Sequence, residues 1–124
     1  MTVLIVDDDA AIRLLCRVNL ELEGHRVLDA ADLVHARTLL AEEPVDVVFL
    51  DLHLGNERGL DLLHELRRDR PDVGVALLTG SPQSRSPEEE ATADALITKP
   101  FEIEELGRTV RRLGKRSVRE RVQQ

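Results

Sequence analysis

The sequence contains no tryptophan and no tyrosine, and its only aromatic side chains are Phe49 and Phe101. A core must therefore be assembled from Leu, Val, Ile and Ala, and recognition of bases or sugars by ring stacking is disfavoured. Cysteine appears once, at Cys16, so neither an intrachain disulfide nor a cysteine-built zinc site is open to the chain. Its place among apolar residues at helical spacing reads as core packing in an intracellular protein. Long apolar runs are missing too: those at 3–6 and 47–50 are far shorter than a membrane span or the apolar stretch of a signal peptide. The chain is expected to be cytoplasmic, with no membrane partner.

What is present suits one soluble domain: 124 residues, 42% hydrophobic and 33% charged,. The charge is unevenly spread. Residues 108–124 carry Arg108, Arg111, Arg112, Lys115, Arg116, Arg119 and Arg121 against Glu120 alone, so the net −7 hides a tail at +6 and a body at −13,. Without a recognisable DNA-reading fold, such a tail offers only nonspecific attraction to nucleic acid, and specific binding is not expected of this domain. Residues 1–113 are read as the domain and 114–124 as a basic tail or linker stub.

Short runs rich in Val, Ile and Leu recur at 3–6, 45–50, 73–78 and 95–98, with a weaker one at 26–30. Unbroken apolar runs of this length are expected of strands buried on both faces. Amphipathic stretches lie between them, marked by Ile12, Leu15, Cys16 and Asn19, by Val34, Leu39 and Leu40, by Leu60, Leu63 and Leu66, and by Ile103, Leu106, Val110 and Leu113,. Alternating strands and helices predict an α/β three-layer sandwich, a five-stranded parallel sheet of order 2-1-3-4-5 with helices on both faces. Pro82 and Pro87 exclude a long fourth helix between strands four and five,, so that helix is expected to be short or poorly ordered. Gly114 is expected to interrupt the last helix, with a weak helical stretch beyond it.

In an open parallel sheet, ligands bind beyond the carboxyl ends of the strands. Asp7, Asp8 and Asp9 follow the first run, Asp51 the third, Thr79 the fourth and Lys99-Pro100 the fifth. Taken singly, Asp9 is an ordinary helix N-cap and the others are plausible loop residues. Together they are harder to dismiss. Gathered at one edge, Asp7, Asp8 and Asp51 would repel one another by about 3 kcal/mol per pair at 5 Å and an effective dielectric of 20. Lys99 supplies one neutralising charge, and it is one of two lysines beside 15 arginines. A hard divalent cation, Mg²⁺ or Mn²⁺, suits the all-oxygen donor set. This chemistry serves phosphoryl transfer to a carboxylate.

Val-Leu-Ile-Val-Asp-Asp-Asp at 3–9, Val-Val-Phe-Leu-Asp-Leu-His-Leu at 47–54, Leu-Leu-Thr-Gly at 77–80 and Ala-Leu-Ile-Thr-Lys-Pro-Phe at 95–101 resemble the receiver domain of two-component response regulators. The resemblance implies that Asp51 is a phosphoacceptor served by a sensor histidine kinase or histidine phosphotransfer protein. It implies that Asp7, Asp8, Asp51 and the backbone carbonyl of His53 hold the metal, with Asp7 acting largely through water. Thr79 would hydrogen-bond the phosphoryl group, Lys99 would pair with its charge, and the Lys99-Pro100 peptide would be cis. A downstream protein target or effector domain, and a phosphorylation-dependent homodimer, complete the expected partners. Such a domain catalyses only its own phosphorylation and dephosphorylation.

Three departures bear on output. Gly55-Asn56 stands where the family commonly has Pro-Gly, which predicts a more flexible loop. Leu96 replaces the usual aromatic residue three positions before the lysine, and the fourth helix is truncated. His53 is either an exposed loop residue or a side chain overhanging the acceptor, whereas His25, His35 and His64 are read as surface residues. Two rival functions stay open: a docking module with the same fold that is never phosphorylated, and a Mg²⁺-dependent aspartyl-phosphate phosphatase. The phosphatase reading suffers because His53 occupies the place where such enzymes carry a second, acid Asp.

Overall fold

Strand β1 (Thr2–Val6) is an interior strand of a parallel sheet, because apolar side chains on both of its faces leave it nowhere to go but between two helical layers. The computed structural model describes residues 1–80 and 92–122, with side chains described as far as Gly114. The expected fourth helix falls largely at 81–91, outside the described residues. Along the chain follow α1 (Ala10–Leu22), β2 (Arg26–Ala30), α2 (Leu33–Glu42), β3 (Val47–Asp51), a small hairpin of β4 (His53–Leu54) and β5 (Glu57–Arg58), and α3 (Gly59–Asp69). Then come β6 (Gly74–Thr79), β7 (Ala95–Thr98) and α4 (Ile103–Val122). The sheet order β2-β1-β3-β6-β7 is the expected one, since the hairpin takes two labels without joining the sheet.

Strand alternation divides the core. Leu4, Val6, Val48, Leu50, Val75 and Leu77 face α2 and α3, while Val3, Ile5, Val47, Phe49, Ala76 and Leu78 face α1 and α4,. Cys16 is fully buried in the second cluster, as expected.

Several helix faces differ from the periodicity reading. In α1, Cys16 and Leu20 turn inward, whereas Leu15 is 37% exposed and Asn19 donates its side-chain N–H to the Leu15 carbonyl at 2.7 Å. This helix is apolar on more than one side, so spacing alone does not choose the buried stripe. In α2, Leu33, Ala36 and Leu40 are buried while Val34 is 70% exposed. Helix α4 buries Leu106, Val110 and Leu113 as expected, but it passes through Gly114 to Val122 without a break. A mid-helix glycine costs only about 1 kcal/mol, and Gly114 leaves room for Met1, whose Cε lies 2.9 Å from where a Cβ would sit.

Candidate functional site

Register places the chemistry. Val6 pairs with Leu50, Asp51 with Leu78, and Thr79 with Thr98, so Asp7, Asp51, Thr79 and Lys99 emerge in adjacent strands at the sheet's carboxyl edge. The edge also holds the switch point between β1 and β3, where strand order reverses,.

Asp7 is fully buried and Asp51 nearly so. Lys99 Nζ donates to Asp7 Oδ2 at 2.7 Å and to Asp51 Oδ2 at 3.3 Å. The remaining oxygens are held by backbone: the Asp9 N–H donates to Asp7 Oδ1 and the His53 N–H to Asp51 Oδ1, each at 2.9 Å. Asp8 is exposed, and its Oδ2 accepts the Gly55 N–H at 3.1 Å. Carboxylate oxygens of Asp7, Asp8 and Asp51 all lie within 4.8 Å of one another. Asp9 turns away to cap α1, accepting from the Ala11 and Ile12 amides at 2.9 and 3.4 Å,.

Burial raises the Asp7 pKa, and the Asp51 charge adds to it against the opposing bonds from Lys99 and Asp9,. For Lys99, burial pulls downward, but the hydrogen bond to Asp7 and the charges of Asp7 and Asp51 together raise its pKa. The ammonium therefore stays charged, and one positive charge faces three carboxylates. That leftover negative charge and the all-oxygen donors fit a Mg²⁺ or Mn²⁺ ion. Cys16 lies outside this chemistry, its thiol pushed up to about 12 by burial and the Asp7 charge,.

Thr79 is buried at the end of β6, and its carbonyl accepts the Lys99 N–H at 2.7 Å. The Lys99-Pro100 peptide is cis, as expected. The His53 side chain is exposed. His35 and His64 lie on the surface, but His25 is half-buried, with a buried Nδ1 that has no hydrogen-bond partner among the described residues. It sits where α1 ends and β2 begins, a turn closed by the His25 N–H bond to the Leu20 carbonyl, and lone-residue spacing gives no sign of that packing.

The family model of the response regulator receiver domain matches residues 3–111. The chain belongs to this family. Among curated relatives, this receiver domain is 37% identical over 121 residues to the DNA-binding dual master transcriptional regulator RpaA of Synechocystis, covering 94% of this chain and 50% of that protein. It is 36% identical to the phosphate regulon transcriptional regulatory protein PhoB of Pseudomonas aeruginosa, covering 85% of this chain and 48% of that protein. The chain thus spans about half the length of these relatives. Among solved structures, a CheY-like receiver domain protein from Methanospirillum hungatei superposes with a TM-score of 0.85 at 28% identity, covering 96% of this chain and 97% of that one. TrrA of Thermotoga maritima, solved with Mg²⁺ and BeF, gives 0.82 at 30% identity over 90% of this chain and 97% of that one.

Three contributors to the site carry no clear mark in the sequence. Arg13 Nη1 donates to the Asp7 carbonyl at 2.7 Å, and nothing but its charge marks it. Gly59 opens α3 so close to Asp51 that a Cβ there would lie 2.1 Å from the Asp51 carbonyl oxygen. The third is the hairpin itself: Gly55, at φ +59°, takes the first central position of a two-residue turn that pairs His53 with Arg58 and Leu54 with Glu57,. The Gly55-Asn56 loop is thus the turn of a short paired element.

Proposed function

We propose that this receiver domain is a phosphorylation switch in which Asp51 takes a phosphoryl group from a sensor histidine kinase or a phosphotransfer protein. The observation that carries the reading is the Lys99 ammonium set between Asp7 and Asp51 inside a three-carboxylate cluster. Asp7, Asp8, Asp51 and the His53 carbonyl would hold Mg²⁺ or Mn²⁺, which when bound neutralises charge on the carboxylates and the phosphoryl oxygens. An Asp51 oxygen forms the new bond to phosphorus as the phosphorus–nitrogen bond to the donor histidine breaks, the imidazole leaving with that electron pair. Lys99 meets the phosphoryl charge and the Thr79 hydroxyl donates to a phosphoryl oxygen.

The chemistry is thus confined to the domain's own phosphorylation and dephosphorylation, in the cytoplasm. Residues 1–113 form the switch, and the basic 114–124 segment serves as linker or docking tail. A downstream protein target or effector domain reads the changed surface, and a phosphorylation-dependent homodimer is one form of that reading.

Intact mass after incubation with Mg²⁺ and acetyl phosphate tests this. One phosphoryl adduct is expected on the wild type and none on Asp51→Asn. A folded wild type that takes no adduct from any donor would leave only a docking module, and rapid multiple turnover of phosphate esters would point to a phosphatase.

A further inference from the structure

The three carboxylates of the cluster are held unequally. Asp7 and Asp51 each bind both Lys99 and a backbone amide. Asp8 is exposed, and the Gly55 N–H is the one hydrogen-bond partner of its side chain among the described residues. An exposed carboxylate with a single bond samples several rotamers unless that donor stands still. What fixes Asp8 is whatever fixes Gly55.

A hairpin with two residues in each strand has little stability of its own. This one is pinned at three points. Leu54 is buried in the core beneath it, the Gly59 N–H closes its base on the Leu52 carbonyl at 3.1 Å, and Glu57 Oε1 accepts the Leu33 N–H at 3.2 Å. The last bond reaches across to the first residue of α2, a backbone amide that helix geometry leaves without an intrahelical partner,. Glu57 is also the register partner of Leu54, so it governs the strand that returns from the Gly55-Asn56 turn.

We propose that the β4–β5 hairpin is a positioning element for the cation site, in which Glu57, anchored on the Leu33 N–H, holds the Gly55 N–H where it sets the Asp8 carboxylate. The inference rests on reading the acidic cluster as a divalent-cation site. Glu57 touches no metal and no phosphoryl group; it acts through the turn, as the outer hydrogen bonds of metal sites orient the ligands inside them. The hairpin also joins the acidic site to the N-terminus of α2, on the sheet face opposite α1 and α4, so Asp8 and the start of α2 are mechanically connected.

Calorimetric titration with Mg²⁺ of the full chain and of Glu57→Ala and Glu57→Gln tests the proposal, with amide hydrogen exchange at Gly55 read in parallel. The titrations run at about 0.15 M salt, where charge effects are screened beyond about 8 Å. Glu57→Ala should weaken Mg²⁺ binding about tenfold and speed exchange at Gly55. Glu57→Gln keeps an acceptor oxygen for Leu33 while losing the charge, and should bind within about twofold of the wild type. Wild-type affinity and exchange in Glu57→Ala would overturn the proposal, as would equal weakening in both variants, which would make Glu57 a distant charge and not an anchor. A folded wild type that binds no Mg²⁺ would bring down the cation-site reading itself, a result distinct from either.

Discussion

Asp7 and Asp8 are neighbours in the chain, yet one belongs to the interior and the other to the surface. Asp7 is fully buried, bonded to Lys99 and to the Asp9 amide, and its charge is part of how the sheet edge is balanced. Asp8 is exposed and hangs on the turn of a small hairpin. The inner half of the site, Asp7 with Asp51 and Lys99, is tied to the core, so its residues govern stability as well as chemistry. The outer half carries little of the fold and is free to specialise in the ligand.

Removing the ammonium is the sharpest way to test this division. Lys99→Met leaves two buried carboxylates facing each other without a counter-charge, and in the presence of a chelator should cost about 3 kcal/mol or more. Asp8→Asn should change stability by less than about 0.5 kcal/mol while weakening Mg²⁺ binding. Urea unfolding of both variants, with and without Mg²⁺, is the measurement. Equal destabilisation by the two would erase the distinction between inner and outer halves.

A smaller effect is expected where the inner half meets α3. In Gly59→Ala the new methyl would collide with the Asp51 carbonyl oxygen, 2.1 Å from an ideal Cβ, and moving backbone aside should cost about 2 kcal/mol. Because Asp51 is displaced with it, phosphoryl uptake should slow as well, which the intact-mass assay reports. A fully stable variant with normal uptake would mean that the close approach relaxes without disturbing the acceptor.

The smallest effect lies away from both halves, at His25. Burial lowers its pKa, helped by the positive N-terminus and Arg111 and opposed by Glu23. A histidine whose folded pKa is depressed adds stability above its unfolded value, about 6.5, and loses that contribution as pH falls through the folded value. As pH falls below about 6.5 the wild type should thus lose more stability than His25→Gln does, read from urea midpoints,. An unchanged slope in the variant would show that His25 does not carry the acid sensitivity.

Much of the site is legible in the sequence, because each of its groups follows directly on an apolar run that can only be a buried strand. Asp7, Asp51, Thr79 and Lys99 need no knowledge of pairing to be placed at one edge; parallel strands all end on the same side. The Asp9 cap is legible for a local reason, since its partners are the amides of Ala11 and Ile12. The hairpin is not. Gly55-Asn56 has turn chemistry, but two-residue strands carry no hydrophobic period, and the bond that anchors Glu57 comes from Leu33, 24 residues earlier.

By itself, then, the sequence determined the alternation of strands and helices, the acidic edge with its lone ammonium, and the cis peptide expected before Pro100 from the family resemblance. These are matters of composition, period and adjacency along the chain. Tertiary structure alone decided that Asp7 is inside and Asp8 outside, that α1 turns Leu20 inward and leaves Leu15 exposed, and that Gly59 must lack a side chain. Each of these depends on how closely segments far apart in sequence approach, and that distance is set by packing between layers, which no single stretch of chain encodes.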